Sequence, residues 1–109
     1  PGMMGGGGAR LDPLVSAEDT SKPIISKVLA VPALRAKYLG YVKEIARTSL
    51  DASKIGPLIA RYRALIEADV ARDTRKLFST EEFRESTSDT GTLRRFIEER
   101  RSFLLSLPD

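Results

Sequence analysis

The chain contains no cysteine and no histidine. Without cysteine there is no disulfide to staple the fold and no thiol from which to read a redox compartment. Without histidine, neither Ser-His-Asp nor Cys-His chemistry can operate within these 109 residues, because the general base is missing. Zinc sites built on Cys or His are excluded by the same two absences. Long apolar runs are also missing: no stretch approaches the roughly 20 residues needed to cross a bilayer, so no membrane partner is expected. Nor is there a phosphate-cradling loop. The glycine run Gly5 to Gly8 matches neither GxxxxGK[ST] nor GxGxxG, and no strand pattern precedes it. No signal-peptide pattern opens the sequence, and Pro1 ahead of Met3 reads as a cut from something longer or a cloning remnant.

What is present is an ordinary balance of 41% hydrophobic and 30% charged residues, enough for one small domain or a piece of a larger one. Net charge is +3, from 18 basic and 15 acidic residues whose signs are interleaved. That is a weak pointer to a polyanion partner.

Apolar residues recur at helical spacing along most of the chain. Four consecutive glycines offer nothing to pack, so residues 1–12 read as a flexible loop or tail, and 1–20 as a Gly-rich segment ahead of the helices. Thr20 or Ser21 is expected to cap a short first helix with Pro23 in its first turn, ending before Pro32. Pro32 opens a second helix over roughly 32–48, with Leu34, Tyr38, Val42 and Ile45 on one stripe. Asp51 is the expected cap of the third. Pro57 leaves two options there, a single turn followed by a fresh helix or one helix with a kink. The stripe Ile55, Leu58, Ile59, Tyr62, Leu65, Ile66 and Val70 marks this as the expected central core helix, ending near Asp73. Ser79-Thr80-Glu81-Glu82 matches the capping box of a short fourth helix, with Phe83 pointing inward. Thr92 is expected to cap the last helix, whose buried face is Leu93, Phe96, Ile97, Phe103, Leu104 and Leu107 with Arg100 among them; Pro108 stops it.

Few constellations could carry chemistry. Glu67, Asp69 and Asp73 bunch near the end of the third helix, but Arg72, Arg75 and Lys76 stand beside them, so solvated carboxylates or local ion pairs are expected rather than a metal site. Glu81-Glu82 and Glu98-Glu99 are adjacent and diverge by about 100° on a helix, which rules out a paired acid and base. Arg94-Arg95 and Arg100-Arg101 read as a solvated face with partners such as Arg94–Glu98 and Arg95–Glu99. With Phe96 and Phe103 on the apolar stripe, nothing there points to nucleic acid. Tyr38, Tyr41 and Tyr62 lie on or near core stripes, as tyrosines with buried rings and wet hydroxyls do. No catalytic, cofactor-binding or metal-binding residue is assigned.

The run from Lys22 through Pro23-Ile24-Ile25 and Val31-Pro32-Ala33-Leu34 to Tyr38-Leu39 resembles the start of the C-terminal helical region of CotH-like proteins, the spore-coat protein H family of atypical, kinase-like proteins. Leu50-Asp51, Leu65-Ile66 with Asp73, Glu82-Phe83, Leu93, Phe96-Ile97, Arg100-Arg101 and Phe103-Leu104 follow in the same order. The resemblance spans roughly residues 11–105. It implies that the full-length parent is an ATP-dependent, divalent-metal-assisted phosphotransferase whose nucleotide and metal ligands lie upstream of this region. No cofactor is then expected in this chain itself.

The expected fold is all-α, a small bundle of four or five helices over residues 21–109 with a flexible Gly-rich N-terminal segment. The expected role is that of a non-catalytic C-terminal helical subdomain of a CotH-like kinase. Its partner would be the missing catalytic lobe, with self-association through exposed apolar surface where that lobe is absent. The alternative is an independent helical module that binds protein or, less favoured by these residues, nucleic acid.

Overall fold

The computed structural model describes residues 8–108, and Gly5 to Gly7 of the glycine run, like the rest of residues 1–7, lie outside the described residues. The architecture is all-helical: α1 (Pro23–Leu29), α2 (Pro32–Thr48), α3 (Ala52–Arg72), α4 (Thr80–Ser86) and α5 (Thr92–Ser106). No strand occurs among the described residues. Residues 8–22 are successive turns rather than helix.

Each helix starts where local chemistry favours it. Pro23 and Pro32 occupy the first helical position of α1 and α2, where a proline forfeits no ladder bond. The expected Thr20 or Ser21 cap of α1 is not made. Lys22 is the cap residue, without a side-chain bond, and Ser21 instead donates from both N–H and hydroxyl to Asp19 Oδ1 (3.0 and 2.6 Å). Asp51 does cap α3, accepting from the Ser53 N–H (2.9 Å) and hydroxyl (2.8 Å). Ser79 and Glu82 form a complete capping box on α4. Gly91, not Thr92, is the cap residue of α5.

Of the two options at Pro57, the structure takes one helix that runs through it. Proline normally clashes with the Cβ of the preceding residue. That residue is Gly56, which has none, and the vacated space is filled by the Arg94 guanidinium, 2.9–3.1 Å from where a Cβ would sit. The same glycine thus keeps α3 helical and lets α5 approach it.

The core is small and centred on α5, which packs on α2, α3 and α4, while α1 packs on α2. Its buried apolar residues are Ala17, Leu29, Ala46, Ile97 and Leu104. This corrects the expectation of α3 as the central core helix. The only buried residue of α3 is Gly56; of its apolar stripe Leu58, Tyr62, Leu65 and Ile66 are exposed, Leu65 at 73%, and Ile55, Ile59 and Val70 are half-buried. Periodicity reveals that a helix has an apolar face but not what covers it.

The molecule is also open. Its radius of gyration is 17.4 Å over extents of 50 × 31 × 20 Å, against about 13 Å for a compact domain of this length. Its accessible surface of 8085 Å² exceeds the roughly 6,000 Å² of a compact chain of this mass.

Two glycines make opposite predictions. A Cβ on Gly91 would fall 2.0 Å from the Glu85 carbonyl oxygen, whereas one on Gly40, mid-α2, meets nothing within 4 Å. In urea denaturation, Gly91→Ala is expected to destabilise by about 2 kcal/mol or more, and Gly40→Ala to stabilise by about 0.5–1 kcal/mol.

A pH dependence follows from three carboxylates that accept from nearby N–H and hydroxyl groups. Asp19 is held below the ordinary carboxylate value by the Ser21 hydroxyl and then its N–H. Asp51 is lowered by the Ser53 N–H and then its hydroxyl, and Glu82 by its bonds with Ser79. Each group titrates lower folded than unfolded, so its stabilisation is present above the unfolded value and is lost as pH falls through the folded one. Helicity by circular dichroism should hold from pH 7 to about 5 and decline below about pH 4.

Candidate functional site

The candidate acidic groups are dispersed onto neighbours. Glu67 of α3 pairs with Arg84 of α4 (2.9 Å). Asp69 pairs with Arg72, and Asp73 Oδ1 accepts from the Arg75 N–H (2.9 Å). Among the described residues, no three Asp or Glu side chains converge where a metal ion could sit. Phosphoryl transfer needs carboxylates on the metal and cations on the phosphates; Glu67 and Asp69 are each paired with an arginine.

Of the α5 arginines, Arg95 is exposed as expected, while Arg94, Arg100 and Arg101 depart from the solvated face. Arg94 is 21% exposed and reaches Asp89 (3.6 Å) rather than Glu98. The Arg95–Glu99 pair is likewise not formed among the described residues. Arg101 Nε donates to the Ala46 carbonyl of α2 (3.2 Å). Arg100 donates to the carbonyls of Ala9 (3.2 Å) and Leu11. Helical spacing had already placed Arg100 on the inward side of α5 with Ile97, Leu104 and Leu107, though not its carbonyl partners, while Leu93, expected on that buried face, is exposed.

Arg100 is one of three ties on the N-terminal segment. Tyr38 of α2 donates its hydroxyl to the Pro13 carbonyl (2.7 Å). Phe103 is stacked by Arg10 from the segment and Arg100 from its own helix, with centroid distances of 5.6 and 5.9 Å. Residues 9–17 thus run as a strap across α2 and α5, ending at buried Ala17.

The strap completes a groove. Leu11, Pro13 and Val15 form one wall, Ile24, Ile25 and Val28 of α1 another, and Tyr38, Val42 and Ile45 of α2 the floor, enclosing about 570 Å³. A second groove of about 590 Å³ lies between the end of α3 and α4, beside Leu77 and Phe78, which are 93% and 69% exposed. Tyr41 and Tyr62 do not bury their rings as expected, and Phe96 lies at the surface instead of in the core. Apolar groups are therefore outside on α1, α2, α3 and the α3–α4 loop together.

A family model described as CotH kinase protein matches residues 9–104. The chain belongs to the CotH kinase family. No curated protein and no solved structure matches it. The match takes in the whole strap, α1 to α4 and α5 as far as Leu104, so in this CotH chain the strap is part of the family region rather than an appendage.

Arg100→Met keeps the apolar stem and removes the donors. It is expected to accelerate amide exchange of residues 9–15 by about tenfold or more while Ala46 and Ile97 stay protected, as read by hydrogen–deuterium exchange.

Proposed function

We propose that this CotH chain is a non-catalytic helical subdomain that buttresses the catalytic lobe of an ATP-dependent kinase. The observation that carries the reading is the unspent apolar surface. A self-standing domain buries side chains such as Leu65, Leu77, Phe78, Tyr41 and Ile24, and here all five are exposed. The excess surface over a compact chain, on the order of 2,000 Å², is the size of a substantial protein–protein interface. Glu67 and Asp69, the candidate carboxylates of α3, are already held by arginines, which suits a support rather than a reaction centre. ATP and the divalent metal belong, in this reading, to the catalytic lobe. With the lobe absent, the same faces drive self-association.

Hydrogen–deuterium exchange on the intact parent, compared with this chain alone, tests the reading. Amides of α1, α2 and residues 76–79 are expected to be at least about tenfold more protected in the parent. Leu77→Glu with Phe78→Glu should abolish the gain around those residues while leaving the capping box of α4 formed. Equal exchange in parent and chain overturns the reading, and so does phosphate transfer from ATP by this chain alone.

A further inference from the structure

The groove between the end of α3 and α4 is walled by side chains that also project from it. Leu77 and Phe78, in the loop that joins the two helices, line the groove and are nevertheless exposed. Val70 of α3 and Phe83 of α4, both half-buried, complete its apolar lining. Knob and recess therefore belong to one patch. Its charges are of both signs: Lys76 comes from the loop, and Glu85 from α4. The two do not meet. Lys76 donates to the Asp73 carbonyl (2.9 Å), and neither residue forms an ion pair among the described residues. Glu82, the other charged residue of the lining, is held by Ser79 in the capping box.

A single peptide laid in this groove would fill the recess and leave the two knobs uncovered. A second copy of the chain carries both a recess and the knobs to fill one. A two-fold axis across the groove sets Leu77 and Phe78 of each copy into the recess of the other, and turns each Lys76 toward the other copy's Glu85. The surface suffices for such a contact. The excess over a compact chain, on the order of 2,000 Å², is more than the about 800 Å² per partner that a standard stable interface buries. An anionic bilayer is disfavoured as the occupant, because α4 carries Glu81, Glu82 and Glu85 against Arg84 alone.

We propose that two copies of this chain pair through the α3–α4 groove about a two-fold axis, with Lys76 and Glu85 bonded reciprocally across it. The proposal rests on the self-association in the buttress reading and adds its face, its symmetry and its ion pairs. An isologous contact of this kind closes on itself, so the product is a dimer and not a filament. The apolar knobs supply most of the affinity, and the reciprocal charges fix the register. On the buttress reading the lobe covers this face in the parent, so lobe and second copy compete for it.

The test is sedimentation velocity on this chain over a range of concentrations, with helicity followed by circular dichroism. The mass is expected to rise from 12.0 kDa toward twice that value as concentration increases. Lys76→Glu and Glu85→Lys are each expected to weaken dimerisation at least about tenfold, since each sets like charges opposite one another at both ends of the contact. Mixed in equal amounts, the two variants are expected to pair with each other as tightly as the unaltered chain does, because every position then faces its opposite charge across the axis. Leu77→Glu with Phe78→Glu is expected to leave a monomer of unchanged helicity. Single variants that dimerise as tightly as the unaltered chain overturn the proposal, and so does a mixture that pairs no better than its components. A dimer that survives Leu77→Glu with Phe78→Glu also overturns it, and self-association then stands through another face. A chain that stays monomeric throughout removes both this proposal and self-association, while exchange in the intact parent still decides the buttress reading.

Discussion

The seam between α2 and α5 is the contact from which the rest of the molecule hangs. Ala46 is wholly buried there, small enough for Arg101 to lie across the helix and donate to its backbone carbonyl. Lys43 makes the matching tie from α2 to the Leu107 carbonyl at the end of α5, where the last carbonyls have no ladder partner. Ile97 and Leu104 supply the apolar side of the same seam. The joint combines apolar burial with cation-to-carbonyl bonds, so it holds two helices at a set rotation even though the core around it is thin.

From that seam the chain branches in two directions. Toward the N-terminus, Arg100 and Tyr38 take hold of the strap by its carbonyls, and Phe103 is stacked by two guanidiniums. Toward the middle of the chain, Gly56 admits the Arg94 side chain and Gly91 admits the Glu85 carbonyl, so α3 and α4 approach α5 at points where a Cβ would collide. The result is a spread of helices rather than a closed bundle. A domain with few buried apolar residues has little to offset its conformational entropy, and surface covered by a neighbouring lobe would supply what is missing here. The grooves and the open shape are thus two aspects of one property.

Much of the fold was legible before any coordinates. Pro23 and Pro32 mark helix starts because a proline forfeits nothing there. Asp51 and the Ser79–Glu82 pair announce caps because their oxygens reach the first free N–H groups. Where local reading failed, a competing partner close in sequence took the group: Asp19 captured Ser21, and the tight turn after α4 put Gly91 ahead of Thr92 as the cap. Arg100 was legible by its place on the buried face of α5, but its carbonyl partners were hidden for another reason. Arginine is assigned to solvent by its charge, yet its stem can line an apolar face while its head satisfies carbonyls; only the arrival of the strap turned that face inward.

By itself, the sequence determined that the chain is helical, where most helices begin and end, and that thiol and imidazole chemistry are absent, because these depend on composition and on residues within a turn or two of one another. It also carried the family, through the order of landmarks from Lys22 to Leu104. Tertiary structure alone decided which apolar stripe is core and which is surface. Ile97 and Leu104 are buried, while Leu65 and Tyr62, on an equally regular stripe, are exposed. The physical reason is that burial belongs to a pair of faces, and a helix cannot name the face that will meet it.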